Sequence, residues 1–408
     1  MTPLEKIIID KIKKQDLITF ETFMDMALYY PGLGYYTSPD LKIGRKGDFY
    51  TSPHLHKIFG AMIGKQLEEM WEIIERPSVF HAVEIGAGAG YLCKDILDYL
   101  KTREIFQSLN YIIVEINPVM IEKQKELLSN PPNPPFIKVM TRRGGERGLL
   151  DEKVKWISSL RELNNIRGCI FSNELLDAFP VHVVEIVNED YPSPTPLPQR
   201  EGVRGRVKEI YVAFDGNKII ELKQDISSID IINYIKEFSI DIPNGYRTEI
   251  NLKIKDWLKE ISEILHEGFV ITIDYGYTAK EYYDEERSKG TLLCYHKHRM
   301  NENPYENIGK QDITAHVNFS SLKKWGEEIG FKTIGYCPQG TFLISLGIDE
   351  VITELYGNSL DYESEILKIK GLILPQGMGE SHRVMIQYKG ERLPTLRGFS
   401  MRNQINTL

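Results

Sequence analysis

Residues 84–90 read Glu84-Ile85-Gly86-Ala87-Gly88-Ala89-Gly90. Three glycines at alternate positions follow a short apolar run, residues 81–85, and precede a helical pattern, residues 91–100. A strand that ends in glycines and opens a helix is the local unit of a doubly wound α/β sheet. The glycines let the backbone turn sharply and let a ligand come against the main chain. The helix behind them presents free amide donors and partial positive charge. Spacing discriminates among ligands. A dinucleotide fingerprint puts its third glycine three positions after the second, and that position is Tyr91 here. Glycines at 86, 88 and 90, with Glu84 before them, fit a ligand without a pyrophosphate. In S-adenosylmethionine the helix end meets a small amino-acid carboxylate instead.

Glu115 ends the next strand pattern, residues 111–116. An acid there can accept hydrogen bonds from both ribose hydroxyls. The plainer readings are a solvated strand end for Glu115 and a tight turn for the glycines. The expected cofactor contacts are Glu84, Gly86, Ala87, Gly88, Gly90 and Glu115, with Asn173 after a later strand.

Further strands are expected at 155–158, 169–172 and 269–274, and helices at about 54–74, from Pro118 onward, and at about 249–266. Alternation of this kind argues a parallel sheet covered on both faces. Residues 1–28 carry a broken apolar stripe (Ile7, Ile8, Ile12, Leu17, Phe20, Phe23, Met24, Leu28) and read as helical up to the turn Tyr30-Pro31-Gly32. A glycine-rich, aromatic loop, 32–53, follows. Residues 181–187 and 207–214 alternate like strands, and Asp215-Gly216-Asn217 makes a hairpin turn toward 218–222. Between them, 191–206 is proline-rich and cannot bury a core, so it is expected to be disordered. The organisation expected is an N-terminal helical and active-site loop region (1–76), a first core half (77–180), an inserted antiparallel subdomain (181–247), a second core half (248–390) and a tail (391–408).

Composition excludes other classes. The chain is 42% hydrophobic and 26% charged, an ordinary globular balance, and its net charge is −8. It lacks the whole-chain basic footprint of a nucleic-acid binder. Cys93, Cys169, Cys294 and Cys337 lie far apart, with no metal-ligand pair at short spacing, and read as reduced thiols. No segment has the apolar run a bilayer requires, residues 1–15 lack the long apolar stretch of a signal peptide, and Glu5 and Asp10 argue against a transit peptide. The expectation is a cytoplasmic protein without metal or membrane insertion.

After the strand at 169–172 the chain reads Asn173-Glu174-Leu175-Leu176-Asp177-Ala178-Phe179-Pro180. The carboxyl end of such a strand opens onto the ligand crevice. Methyl transfer needs a neutral nucleophile held in line more than strong acid–base catalysis. If the nucleophile is a guanidinium, carboxylates must orient it, because its pKa exceeds about 12. Glu174 and Asp177 suit that task; their plainer role is helix capping by Asn173 or Asp177. Methyltransferases acting on base amino groups often carry Asn-Pro-Pro-Tyr here, and the match stops after Asn173. Two more polar clusters lie in segments read as loops or short helices: Gly47-Asp48-Phe49-Tyr50-Thr51-Ser52-Pro53 and Gln311-Asp312-Ile313-Thr314-Ala315-His316-Val317-Asn318-Phe319. A lone histidine such as His316 is more often structural, and Asp312 and Asn318 could be helix caps.

These four motifs, together with Gly290-Thr291-Leu292-Leu293-Cys294-Tyr295 and Gln339-Gly340-Thr341-Phe342-Leu343, resemble the MidA-like methyltransferases. That family includes the mitochondrial complex I assembly-factor arginine methyltransferases and bacterial relatives. The resemblance spans about 17–388. It implies a class I methyltransferase fold with an inserted subdomain, S-adenosylmethionine as cofactor and, in the mitochondrial members, symmetric dimethylation of a protein arginine. On this reading Asp48, Glu174, Asp177, Asp312 and His316 serve catalysis, and Tyr50, Thr51, Ser52 and Gln311 bind a protein substrate. The insertion 191–206 and the stretch 141–150 depart from the family pattern and touch no motif. Rival readings are a non-catalytic assembly chaperone that binds the cofactor as structure, and a small-molecule methyltransferase. A protein substrate predicts a wide, partly polar cleft; a metabolite predicts a closed apolar pocket.

Overall fold

A computed structural model describes residues 1–39, 52–129, 153–187, 206–238, 243–357 and 362–408. Its central sheet has seven main strands: β1 (Phe80–Ile85), β2 (Leu109–Val114), β3 (Val154–Ile157), β4 (Ile166–Asn173), β5 (Leu265–Tyr277), β6 (Lys332–Pro338) and β7 (His382–Lys389). They lie in the order β6-β7-β5-β4-β1-β2-β3. Neighbours are parallel except β7, which runs antiparallel to β5 and β6. A short strand, Val317–Asn318, adds to the end of β5. This is a doubly wound α/β sheet with one antiparallel strand near its edge.

Register explains why the strands read as continuous apolar runs. Val83 lies opposite Ile112 and Ile170, and Ile271 opposite Phe171 and Ile386. Alternate residues enter two cores. Ala82, Ile113, Phe171 and Ile271 pack beneath helices Ile58–Ile73 and Tyr91–Leu100. Val83, Ile112, Ile170 and Val270 pack against Lys253–Ile264 and Phe319–Glu328. Both faces are covered, so both must be hydrophobic. Cys93, Cys169, Cys294 and Cys337 are free and buried. No described helix is long and apolar enough to cross a membrane.

A second, antiparallel sheet runs Ile18–Thr19, Arg206–Phe214, His182–Val187, Arg247–Ile250, with Ile219–Gln224 paired to Arg206–Phe214. The N-terminus belongs to this body. Leu4, Ile8, Phe23 and Leu28 share one apolar cluster with Val183, Val212 and Ile313. The region read as helical through Leu28 is two helices, Pro3–Gln15 and Phe20–Tyr29, parted by the edge strand. Asp16, at φ +65°, stops the first, and the Thr19 hydroxyl caps the second by accepting from the Thr22 amide. The helix expected from 249 begins at Lys253, because Arg247–Ile250 pairs with His182–Val187. Residues expected as loops or short helices near 311–318 include two short strands, Asp312–Thr314 and Val317–Asn318. The stretches 141–150 and 191–205 lie outside the described residues.

At the base of the parallel layer three backbones come close. Gly168 on β4 faces His81 on β1 and Gly268 on β5. Both glycines have positive φ, +149° and +145°. A Cβ on Gly168 would run into the His81 carbonyl, and one on Gly268 into the Gly168 carbonyl. Gly168→Ala should cost about 3 kcal/mol of stability by overpacking alone. Urea unfolding measures it; a loss below about 1 kcal/mol would mean that the strands part without resistance.

Candidate active site

The sheet order reverses between β1 and β4, and a cleft of about 200 Å³ opens there, at the carboxyl ends of β1, β2 and β4. Gly86 and Gly88 form its floor with φ of +71° and +53°, and Gly90, just behind them, has φ +84°. Gly90 stands at the N-terminus of helix Tyr91–Leu100, with no side-chain cap on that turn. The amides therefore stay available to a ligand. Gln124, fully buried on helix Pro118–Ser129, ties the cleft together. Its Nε2 donates to the Gly88 carbonyl at 2.8 Å and to Glu115 Oε2 at 3.2 Å, while its Oε1 accepts from Trp156 Nε1 at 2.9 Å. Glu115 Oε1 accepts from the Asn117 amide at 2.8 Å. Each Glu115 oxygen keeps acceptor capacity. Burial raises its carboxyl above the usual range.

Glu84 is held differently. It accepts from the Tyr111 hydroxyl, and burial pushes its carboxyl up to about 7. Asn173 donates through Nδ2 to Glu174 Oε1 at 3.1 Å, while its Oδ1 is buried with no hydrogen-bond partner among the described residues. Leu92, Ile116 and Met120 give apolar flanks. An orphaned amide oxygen, an acid with open acceptor positions and a glycine floor fit a nucleoside carrying an amino acid, as S-adenosylmethionine does.

Beside the cleft sits a group of buried acids. Glu174 follows β4 in a left-handed conformation, φ +51°, its amide bonded to the Ile273 carbonyl at 2.8 Å. Asp274, near the end of β5, is fully buried. Its Oδ2 accepts from the amides of Leu175, Leu176 and Asp177 at 3.1, 2.9 and 3.4 Å, and its Oδ1 from Tyr275 at 2.9 Å. Burial and then the charge of Glu174 push the Asp274 carboxyl up to about 7. Burial, then Asp274, Asp312 and Glu174, hold the Asp177 carboxyl well above its usual range. Neither Asn173 nor Asp177 caps the turn Leu176–Ala178, where Leu175 takes the cap position without a side-chain bond. His382 Nε2 lies 3.4 Å from Glu174 Oε1 and its ring 4.0 Å from Tyr275. Glu174, Asp177 and Asp274 make no ion pair with lysine or arginine among the described residues.

The other predicted site residues separate. Asp312 joins the acids: Tyr36 donates to its Oδ1 at 2.7 Å, and the Ala315 amide bonds the Asp177 carbonyl at 2.9 Å. Gln311 is fully buried and bonds Asn301 and Asn303, holding the hairpin next to it. His316 lies beyond Tyr275 and Tyr277, against a different cavity, and burial lowers it to about 4. Asn318 caps Phe319–Glu328 through the Ser320 amide. Ser52 is buried against Gln339 at 3.0 Å, and its neighbours Pro53 and His54 reach the cleft wall. Asp48, Tyr50 and Thr51 lie outside the described residues. The sequence reading missed Asp274, Tyr29, Tyr36, His54 and His382. Asp274 ends the apolar run 269–274, and an acid there is a readable signal. The aromatic and histidine contributions come from distant segments and have none.

Fold and cleft together define a class I methyltransferase. The profile of a family described as "Putative S-adenosyl-L-methionine-dependent methyltransferase" matches residues 62–337, and the chain belongs to that family. It is 25% identical to the protein arginine methyltransferase NDUFAF7 of Homo sapiens, over 96% of this chain and 85% of that one. It is 23% identical to the Drosophila melanogaster homologue, over 93% and 83%. A Burkholderia thailandensis protein crystallised with S-adenosyl-homocysteine is 25% identical, with a TM-score of 0.81 over 99% of this chain and 96% of that one.

Gly88→Val places a β-branched residue at φ +53° on the cleft floor. Calorimetric titration with S-adenosylmethionine should show affinity falling at least ~100-fold. Unchanged binding would remove the loop from the cofactor site.

Proposed function

We propose that this enzyme methylates a guanidino nitrogen of arginine in a protein substrate. The observation that carries the reading is the group of carboxylates beside the cleft, Glu174, Asp177 and Asp274, which makes no ion pair with lysine or arginine among the described residues and has the His382 ring beside Glu174. Buried charges ordinarily occur in pairs. A cation brought by the substrate would complete this group, and a guanidinium matches carboxylates in shape as well as charge. The names of the curated relatives point the same way.

When bound, S-adenosylmethionine supplies the methyl group on a sulfonium leaving group. In this reading the 86–90 backbone meets its amino-acid end, Glu115 takes the ribose hydroxyls, and Asn173 Oδ1 accepts from its amine. Glu174 orients the guanidinium and draws its positive charge toward one nitrogen, freeing the lone pair of another. As that nitrogen is alkylated it must shed a proton. Asp177 and Asp274, whose carboxyls burial raises above their usual range, can accept it and pass it on. Tyr29 and Tyr36, stacked with ring centroids 5.6 Å apart, wall the route between cleft and acids.

Glu174→Gln keeps the size and loses the charge. Cofactor affinity should hold while kcat on arginine peptides falls about 10²-fold. Retained activity would leave Glu174 a structural turn residue. The pH dependence has a definite sign. Asp274 keeps its proton up to about pH 7, so the full negative charge a guanidinium needs exists only above that. kcat/KM should rise through about 7 and then flatten, and a falling profile would remove the acids from acceptor binding. Stability runs oppositely. A carboxyl raised from its ordinary 3.8 in the folded state stabilises at low pH, and that contribution is lost as pH climbs through 7. Melting temperature should fall from pH 5 to pH 8, and less so in Asp274→Asn.

A further inference from the structure

A second cavity, about 540 Å³, lies on the far side of Tyr277 and His316 from the acids. Its walls come from the inserted sheet (Glu221, Arg247), from residues 287–293 and from residues 302–305. Two sequence motifs that the cofactor cleft leaves unused, Gly290 to Leu293 and His316, meet here.

The wall is built with care. Glu249 is almost fully buried, and its Oε2 accepts from the Thr291 amide and hydroxyl, both at 2.9 Å. A Cβ on Gly290, at φ +85°, would strike the Glu249 carboxylate. The Thr291 hydroxyl oxygen in turn accepts from the His316 amide at 3.0 Å. This chain of bonds fixes the 290–293 segment relative to the segment that carries Asp312.

The charges divide into paired and unpaired. Arg247 is closed by Glu221, at 2.5 and 2.7 Å, and Tyr305 also donates to Glu221, at 2.7 Å. Arg287 stacks on the Tyr277 ring at 4.0 Å and gives one donor to the Glu281 carbonyl at 2.7 Å. It has no carboxylate partner among the described residues, and four of its roughly five donors stay open. Lys289, exposed on the same wall, likewise forms no ion pair among the described residues. Glu302 is the one acid on the wall outside the Arg247 pair, and it lies on the separate 302–305 segment.

The two sites are a short peptide apart. Leu293 and His316 line the cavity; Leu293 pairs with Thr314, two residues along its strand from Asp312, and the Ala315 amide next to His316 bonds the Asp177 carbonyl at 2.9 Å. Two strand residues span about 7 Å and point to one face. An extended chain whose arginine enters the acid group therefore reaches the cavity within roughly two to four residues.

We propose that this cavity is a substrate subsite for an acidic side chain flanking the target arginine, held by Arg287 and Lys289. The proposal rests on the arginine reading above. The substrate then meets a negative site with its cation and a positive one with its anion, and a peptide lacking the acid leaves Arg287 and Lys289 without a partner.

The test uses the full-length enzyme, S-adenosylmethionine and synthetic peptides with one arginine and a glutamate placed two, three or four residues to either side. Each is matched by a glutamine peptide. At one spacing the glutamate peptide should show a KM about tenfold lower than its glutamine partner. That preference should shrink as salt rises from 50 to about 300 mM. In the double variant Arg287→Ala, Lys289→Ala the preference should collapse to about one. Equal KM values for glutamate and glutamine at every spacing overturn the subsite while leaving the arginine reading standing. So does a preference that survives both the double substitution and high salt. If no arginine peptide is methylated at all, the arginine reading falls and the subsite with it. Should the double variant fail to bind cofactor, the salt response of the wild-type enzyme decides alone.

Discussion

The acceptor side of this enzyme hangs on one carboxylate. Asp274 makes no ion pair among the described residues; it is held by the amides of Leu175, Leu176 and Asp177 and of Tyr275. Those bonds close the turn that leaves β4 and keep Glu174 in a left-handed conformation that a glutamate seldom adopts. Strain of this kind persists only where surroundings over-determine it. Here the surroundings are two parallel strands in register, Ile273 opposite Asn173, and a buried acid whose lone pairs are satisfied by backbone. The same arrangement sets the electrostatics. Acids crowded in low dielectric resist ionisation, and their raised carboxyls follow from that crowding.

The cofactor half obeys a different logic. It contains few charges and much backbone. Gln124 joins the Gly88 carbonyl to Glu115, so the floor and the acid that rises from β2 move as one piece. The cleft is thus shaped before a ligand arrives, whereas the acids make no ion pair with lysine or arginine among the described residues. Preorganisation on one side and unmet charge on the other suit an ordered encounter with two unlike molecules.

Much of this was legible in the residues. Gly86, Gly88 and Gly90 between a strand and a helix fixed the position of the cleft, and Glu115 and Asn173 followed from strand ends. Glu174 and Asp177 lay in one short motif. What escaped was long-range. Tyr36 reaches Asp312 across 276 positions, and His382 reaches Glu174 from the far end of the chain. Neither contact leaves a periodic trace. The helix was read from about 249, a few residues early, because local propensity cannot see that His182–Val187 claims 247–250 as a strand. Gln311 looked like a site residue because buried and catalytic amides share one composition; its partners, Asn301 and Asn303, give it a place in a hairpin.

The edge strand Ile18–Thr19 pairs with Val212 and Tyr211, nearly two hundred residues later, and the helix after it delivers Tyr29 to the cleft. On a ribosome the chain emerges from its N-terminus, so this strand waits for its partner until about half of the sequence is made. The acceptor wall waits longer still, for residues 312 and 382. Folding dominated by such distant pairings is slow. A nascent chain of this protein therefore holds every residue of its glycine cleft before it has gained Asp274, Asp312 and His382 of its acceptor side.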